Sequence, residues 1–164
     1  MDQNMELCKQ MAAYYQGQPR YINHFLKVYG YAKAIGGLEG LDKNTQFILE
    51  AAALVHDIGI KPALEKYGSS SGKYQEIEGP AQAQALLRGL QYPEKVVERV
   101  AYLVGHHHTY QDIQGLDYQI LVEADFLVNI YEEKMGKDEI LSVRKNIFRT
   151  TAGKYYLDTL FLRE

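Results

Sequence analysis

Apolar residues recur along this chain every three or four positions, the repeat of amphipathic helices, and no segment alternates convincingly at the period of two that marks a half-buried strand. A first helix over residues 1–18 carries Met5, Cys8, Met11 and Ala12 on one side, and Gln16-Gly17-Gln18-Pro19 breaks it. A second helix, from about Arg20 to Ile35, places Tyr21, His24, Val28, Tyr31 and Ile35 on one stripe and ends at Gly36-Gly37. Asp42 suits the N-cap of a third, which carries Phe47, Ile48, Ala51, Leu54 and Val55 down to His56-Asp57. Gly59 followed by Pro62 stops that helix.

Residues 60–75 read as a loop. Within it Gly68-Ser69-Ser70-Ser71-Gly72-Lys73 has the composition of a mobile segment, a candidate lid. Gly79-Pro80 opens a fourth helix ending at Gly89, with proline suited to the first turn. Pro93 starts a fifth, whose stripe of Val96, Val100, Leu103 and His107 leads into Gly105-His106-His107-His108. Neighbouring residues differ by about 100° around a helix. His107 therefore continues the stripe, His106 flanks it, and His108 is expected to be structural or exposed. Asp117 caps a sixth helix, Tyr118 to about Glu132, with Tyr118, Leu121, Val122, Asp125 and Val128 facing the core. Residues 138–164 supply one or two more helices that pack through Ile140, Val143, Ile147, Tyr156, Leu157 and Leu160. The fold class is all-α, one helical domain over residues 1–164.

Composition agrees and narrows the class. A chain of 164 residues, 46% hydrophobic, can bury one sizeable core. A net charge of -3 gives no reason to expect nucleic acid or a membrane as partner. The single cysteine, Cys8, excludes an internal disulfide and fits a reducing compartment. With no apolar run of 18 residues and no charged-then-apolar leader, a soluble cytoplasmic protein is expected.

Chemistry enters where polar residues interrupt apolar stripes. Each of these positions alone has a plain reading. His24 suits a core histidine beside a snorkelling Arg20, His56-Asp57 a helix-end cap, and Glu76 and Glu78 a complement to a helix dipole. Asp125 is the exception, because an unpaired carboxylate in a core costs several kcal/mol and requires a cation or several donors. One shared ion satisfies His24, His56, Asp57 and Asp125 together. Mixed imidazole and carboxylate ligands suit Mn, Fe, Co, Ni, Zn or Mg, and the absence of nearby cysteine argues against a structural zinc. The Gly-Ser-Lys run lacks the spacing of a P-loop and follows no strand.

The ordered set His24, His56-Asp57-Ile58-Gly59 and Asp125 resembles the signature of the HD-domain superfamily of metal-dependent phosphohydrolases. Gln75-Glu76-Ile77-Glu78-Gly79-Pro80 and Gly105-His106-His107-His108-Thr109-Tyr110 fall where that superfamily has accessory residues, so the resemblance spans roughly residues 20–132. It implies a helical bundle and a divalent ion held by His24, His56, Asp57 and Asp125. It also implies hydrolysis of a phosphorylated small molecule, plausibly a nucleotide, by a metal-activated water. Asp57 would both ligate and orient the water, and Glu76 would assist as general acid or base. His106, His107, Arg20 and Lys61 would bind phosphate and stabilise charge in the transition state.

Two features depart from the superfamily pattern. Two-metal members have a histidine about where Gln75 stands, and many members place a lysine directly after the glycine of the dipeptide motif, where Ile60 precedes Lys61. A non-catalytic metal- or nucleotide-sensing module and a two-iron oxygenase are the alternative readings of the same residues. A homo-oligomer is compatible with all of them.

Overall fold

The computed structural model describes residues 2–163. In chain order the helices are α1 (Gln3–Tyr14), α2 (Pro19–Leu38), α3 (Lys43–Val55), α4 (Ile60–Tyr67), α5 (Gly72–Gly89), α6 (Glu94–Val104), α7 (Leu116–Glu132), α8 (Lys137–Asn146) and α9 (Thr151–Leu157). A π-helical turn, Asp158–Leu162, continues α9. The fold is all-α, with no strand among the described residues.

Helix α3 is the axis of the bundle. Every residue from Ile48 to Val55 is buried, and the helix packs against α1, α2, α6 and α7. The run Ala51-Ala52-Ala53 makes that possible, because short side chains let neighbouring helices approach on every side. Asp42 caps its N-terminus by accepting from the backbone N–H of Asn44 and Thr45. Helices α2 and α7 pack against each other beside it, with Phe25, Val28 and Ile35 buried on one and Leu121, Ala124 and Val128 on the other.

The first helix is shorter than its pattern suggests and buries another face. Asn4, Leu7, Met11 and Tyr15 point inward, whereas Met5 is exposed. Helix α2 runs through Gly36-Gly37 to Leu38. Near the C-terminus two helices form, with Ile140 and Leu157 buried, but Leu160 stays half exposed.

The largest departure from the sequence expectation lies between residues 60 and 80, where a loop gives way to two helices, α4 and the first half of α5. The Gly68–Lys73 run is a tight connection. Gly68 takes φ +66° to end α4. Tyr67 stacks on Tyr74 at 4.2 Å between ring centres, and Glu78 accepts from both Lys66 Nζ (2.9 Å) and Tyr67 Oη (2.8 Å). These contacts close α4 onto α5 and leave no lid. Pro80 then sits inside α5 rather than in its first turn. Having no N–H, it leaves the Glu76 carbonyl without its helical donor, and its ring packs against Gly105.

Gly59 ends no helix through a left-handed turn; its φ is -74°. Its role is close approach. A Cβ there would stand 2.6 Å from the Gln75 carbonyl oxygen and 2.9 Å from the Gly79 nitrogen. The turn carrying His56-Asp57 can therefore lie against the backbone of α5.

Candidate metal centre

Three elements deliver four buried side chains to one point: α2 brings His24, the turn after α3 brings His56 and Asp57, and α7 brings Asp125. His24 Nε2 lies 3.2 Å from His56 Nε2, 3.3 Å from Asp57 Oδ2 and 3.1 Å from Asp125 Oδ1. His56 Nε2 is 3.4 Å from the same Asp57 oxygen and 3.5 Å from the same Asp125 oxygen. Ligands held at about 2.1 Å from one ion are separated by roughly 3.0 Å in octahedral and 3.4 Å in tetrahedral geometry. These spacings fit a single cation.

The outer nitrogen of each ring fixes its direction. His56 Nδ1 donates to the Ala53 carbonyl at 2.8 Å, and His107 Nδ1 donates to the Val104 carbonyl at 2.8 Å. His24 Nδ1 meets Glu132 Oε2 at 3.1 Å, and the other oxygen of that carboxylate pairs with Lys27 Nζ at 2.6 Å. Such partners hold the inner Nε2 lone pair toward a metal. Tyr15 Oη donates to the Asp57 carbonyl at 2.9 Å and Tyr14 Oη to that of Ile58 at 3.2 Å, pinning the turn from α1.

Charge in this cluster is strongly coupled. Burial alone would keep the imidazoles neutral, but the Asp57 and Asp125 carboxylates outweigh it and raise both His24 and His56. Burial likewise favours protonated carboxyls, and the imidazoles outweigh that, holding Asp57 and Asp125 well below the usual carboxylate range. Without a metal the site balances its negative charge with protons. A divalent cation can take their place.

Asp57 also faces the other way. Its Oδ1 lies 3.3 Å from His107 Nε2, a fully buried atom with no hydrogen-bond partner among the described residues. Asp57, His107 and His108 form a second group able to hold an ion, overlapping the first at Asp57. His108 is half-buried, with its Nε2 3.2 Å from Gln75 Oε1. Burial, helped by His107, lowers its pKa to about 4, so it presents a neutral ring to this group. The expectation of a structural or exposed His108 is corrected: it lines the same cavity as His24 and Asp57.

Other expected site residues lie elsewhere. His106 turns outward, stacks on Tyr102 at 4.0 Å and donates from Nδ1 to the Tyr102 carbonyl. The geometry of the helix end explains this, since the next residue takes the inward direction. Glu76 accepts from Thr109 Oγ1 at 2.9 Å and from the His108 backbone N–H at 3.0 Å, so it fastens the histidine loop instead of lining the cavity. Lys61 lies over the Tyr14 ring at 5.1 Å, outside the cavity lining. Arg20 does line it.

Sequence reasoning missed Glu132, Asn129 and Tyr15. Asp125, Asn129 and Glu132 follow the spacing i, i+4, i+7, which places them on one face of α7 and could have flagged the first two. Nothing local in the sequence points from Tyr15 to the Asp57 carbonyl.

The family model of the HD domain matches residues 21–146. No curated protein matches the chain. The crystal structure of a predicted HD superfamily hydrolase from an uncultured Thermotogales bacterium is similar in fold, with a TM-score of 0.67 and 23% identity over 94% of this chain and 83% of that one. From the family match, which spans both histidines and both aspartates of the cluster, the chain belongs to the HD domain family.

Proposed function

We propose that the protein is a metal-dependent phosphohydrolase that cleaves a phosphoester or phosphoanhydride of a small molecule. The observation that carries this reading is the convergence of His24, His56 and Asp57 into a group able to hold an ion, with Asp125 3.1 Å from His24, beside an open cavity of about 270 Å³ lined by His24, Asp57, Asp125 and Arg20. A divalent ion held by those four residues supplies a water acidified toward neutrality and polarisation of a phosphoryl oxygen. Asp57 offers one carboxylate oxygen to each of the two neighbouring histidine groups, so it orients whatever lies between them. His107 Nε2 is a buried lone pair able to accept a hydrogen bond or to ligate. Arg20 presents a fixed positive charge for a phosphate. Its guanidinium rests 4.7 Å above the Tyr21 ring and donates from Nη2 to Tyr21 Oη at 2.8 Å.

Metal analysis of the purified protein, paired with phosphate release from a panel of phosphoesters, tests the proposal. Activity is expected with one or more of Mn, Fe, Co, Ni, Zn or Mg, and Asp57→Ala should abolish it. Phosphatase activity surviving that substitution overturns the site.

A two-iron oxygenase is the second reading, favoured by one observation, the overlapping group of Asp57, His107 and His108. Redox-active iron at two per chain, with no phosphate release, selects it.

A further inference from the structure

The walls of the cavity differ in charge. Arg20 stands on the α2 side. Asn129, Glu132 and Glu133 stand together at the end of α7. Glu132 is committed on both oxygens, to His24 and to Lys27. Glu133 forms no ion pair among the described residues, and Asn129 adds an amide beside it. An organic group lying against this wall meets acceptors and negative charge.

Two further observations bear on what fits. The volume, about 270 Å³, sits at the lower edge of the range of pockets that take drug-sized ligands, and a bound ion would fill part of it. Apart from imidazoles, the one aromatic side chain lining the cavity is Tyr21, and the Arg20 guanidinium covers it. A nucleobase would find no free aromatic face to stack on, which is the ordinary way a pocket holds one.

Resting on the hydrolase reading above, we infer that the substrate is a short phosphomonoester whose organic part bears ammonium or hydroxyl donors, and not a nucleotide. Its phosphate faces the metal cluster and Arg20, and its donors face Glu133 and Asn129. An ammonium would pair with the Glu133 carboxylate, and a diol would bridge Glu133 and Asn129. Glu133 is solvent-exposed, so a charge-assisted contact to it corresponds to up to about fivefold in affinity.

The test is calorimetric binding to the Mn²⁺-loaded protein of four probes: phosphoethanolamine, glycerol 3-phosphate, propyl phosphate and adenosine monophosphate. At least one of the first two should bind about two- to fivefold more tightly than propyl phosphate and than the nucleotide, and which one does so distinguishes ammonium from hydroxyl recognition. In Glu133→Gln the affinity ratio of the preferred probe to propyl phosphate should fall by about two- to fivefold, a ratio that cancels any loss of folded or metal-loaded protein. A nucleotide that binds as tightly as the preferred probe, or a ratio unmoved by Glu133→Gln, overturns the inference. Turnover of the same probes is scored separately. The expected binding ratios without any phosphate release would leave the cavity assignment standing and remove the hydrolase reading, whereas release with a nucleotide preference would do the reverse.

Discussion

His24 Nε2 and Asp125 Oδ1 lie 3.1 Å apart although 101 residues separate them in the chain. Both are buried, His24 in the second turn of α2 and Asp125 midway along α7. The contact joins two helices whose packing is a large part of the core. Binding of an ion by these residues would be coupled to assembly of the bundle, because they meet only when α2 and α7 are docked.

Asp125→Asn preserves shape and removes the charge that the two imidazoles face. Metal affinity should fall by more than the roughly 10–100-fold typical of outer-shell partners, and phosphate release with it. Metal content after dialysis, set beside wild-type protein treated identically, checks this. Retention of a full complement of metal would remove Asp125 from the ligand set.

Glu132→Gln acts one step further out. The amide keeps an oxygen for His24 Nδ1 but loses the charge that also pairs with Lys27. A fall of about 10–100-fold in metal affinity is expected. Metal added in excess should restore most of the activity, since the inner four residues are intact. Titration of activity against metal concentration separates this from a folding defect, which excess metal would not repair.

Gly59→Ala tests why a glycine follows the His-Asp dipeptide. The added methyl meets backbone atoms of α5 at 2.6–3.0 Å, and neither neighbour is the end of a flexible side chain. Overpacking of this kind costs about 1–3 kcal/mol. The denaturant midpoint should drop with the slope unchanged. An unaltered midpoint would mean that α5 yields without cost.

The bundle and most of its helix-bearing stripes were legible because burial imposes a 3.6-residue repeat, and Asp125 stood out because a core does not hold a bare carboxylate. What stayed hidden is instructive. Residues 60–75 have loop composition, but Tyr67, Glu78 and Pro80 make tertiary contacts that let helix α4 and a proline-bearing α5 form there. The direction of the three consecutive histidines depends on how α6 ends: His107 points to Asp57, His106 stacks outward on Tyr102, and His108 reaches Gln75. Extending the repeat past Val104, where α6 ends, reached the inward direction of His107 but neither the outward turn of His106 nor the reach of His108. Glu76 shows the same limit. A carboxylate next to a candidate site looked like an acid or base, and only the fold reveals that Thr109 and the His108 N–H already occupy it.

The metal-free protein should be most stable near pH 6.5. His24 and His56 have raised pKa values when folded, so their contribution is fully present below the unfolded value of 6.5 and is lost as pH rises through the folded values. His108 has the opposite sign. Its folded pKa of about 4 means that the unfolded chain takes up a proton the folded one refuses, and stability falls as pH drops from 6.5 toward 4. Asp57 and Asp125, both depressed, add a further loss as pH falls below the unfolded value of 3.8. A divalent ion displaces the protons shared by His24 and His56, so metal-loaded protein should lose the alkaline limb and gain stability from pH 6 to 8 as ligand deprotonation becomes easier. Thermal midpoints of chelator-treated and Mn²⁺-loaded protein from pH 4 to 9 check both curves. Parallel curves for the two forms would show that the ion binds elsewhere, because only a cation seated among these imidazoles removes their protons.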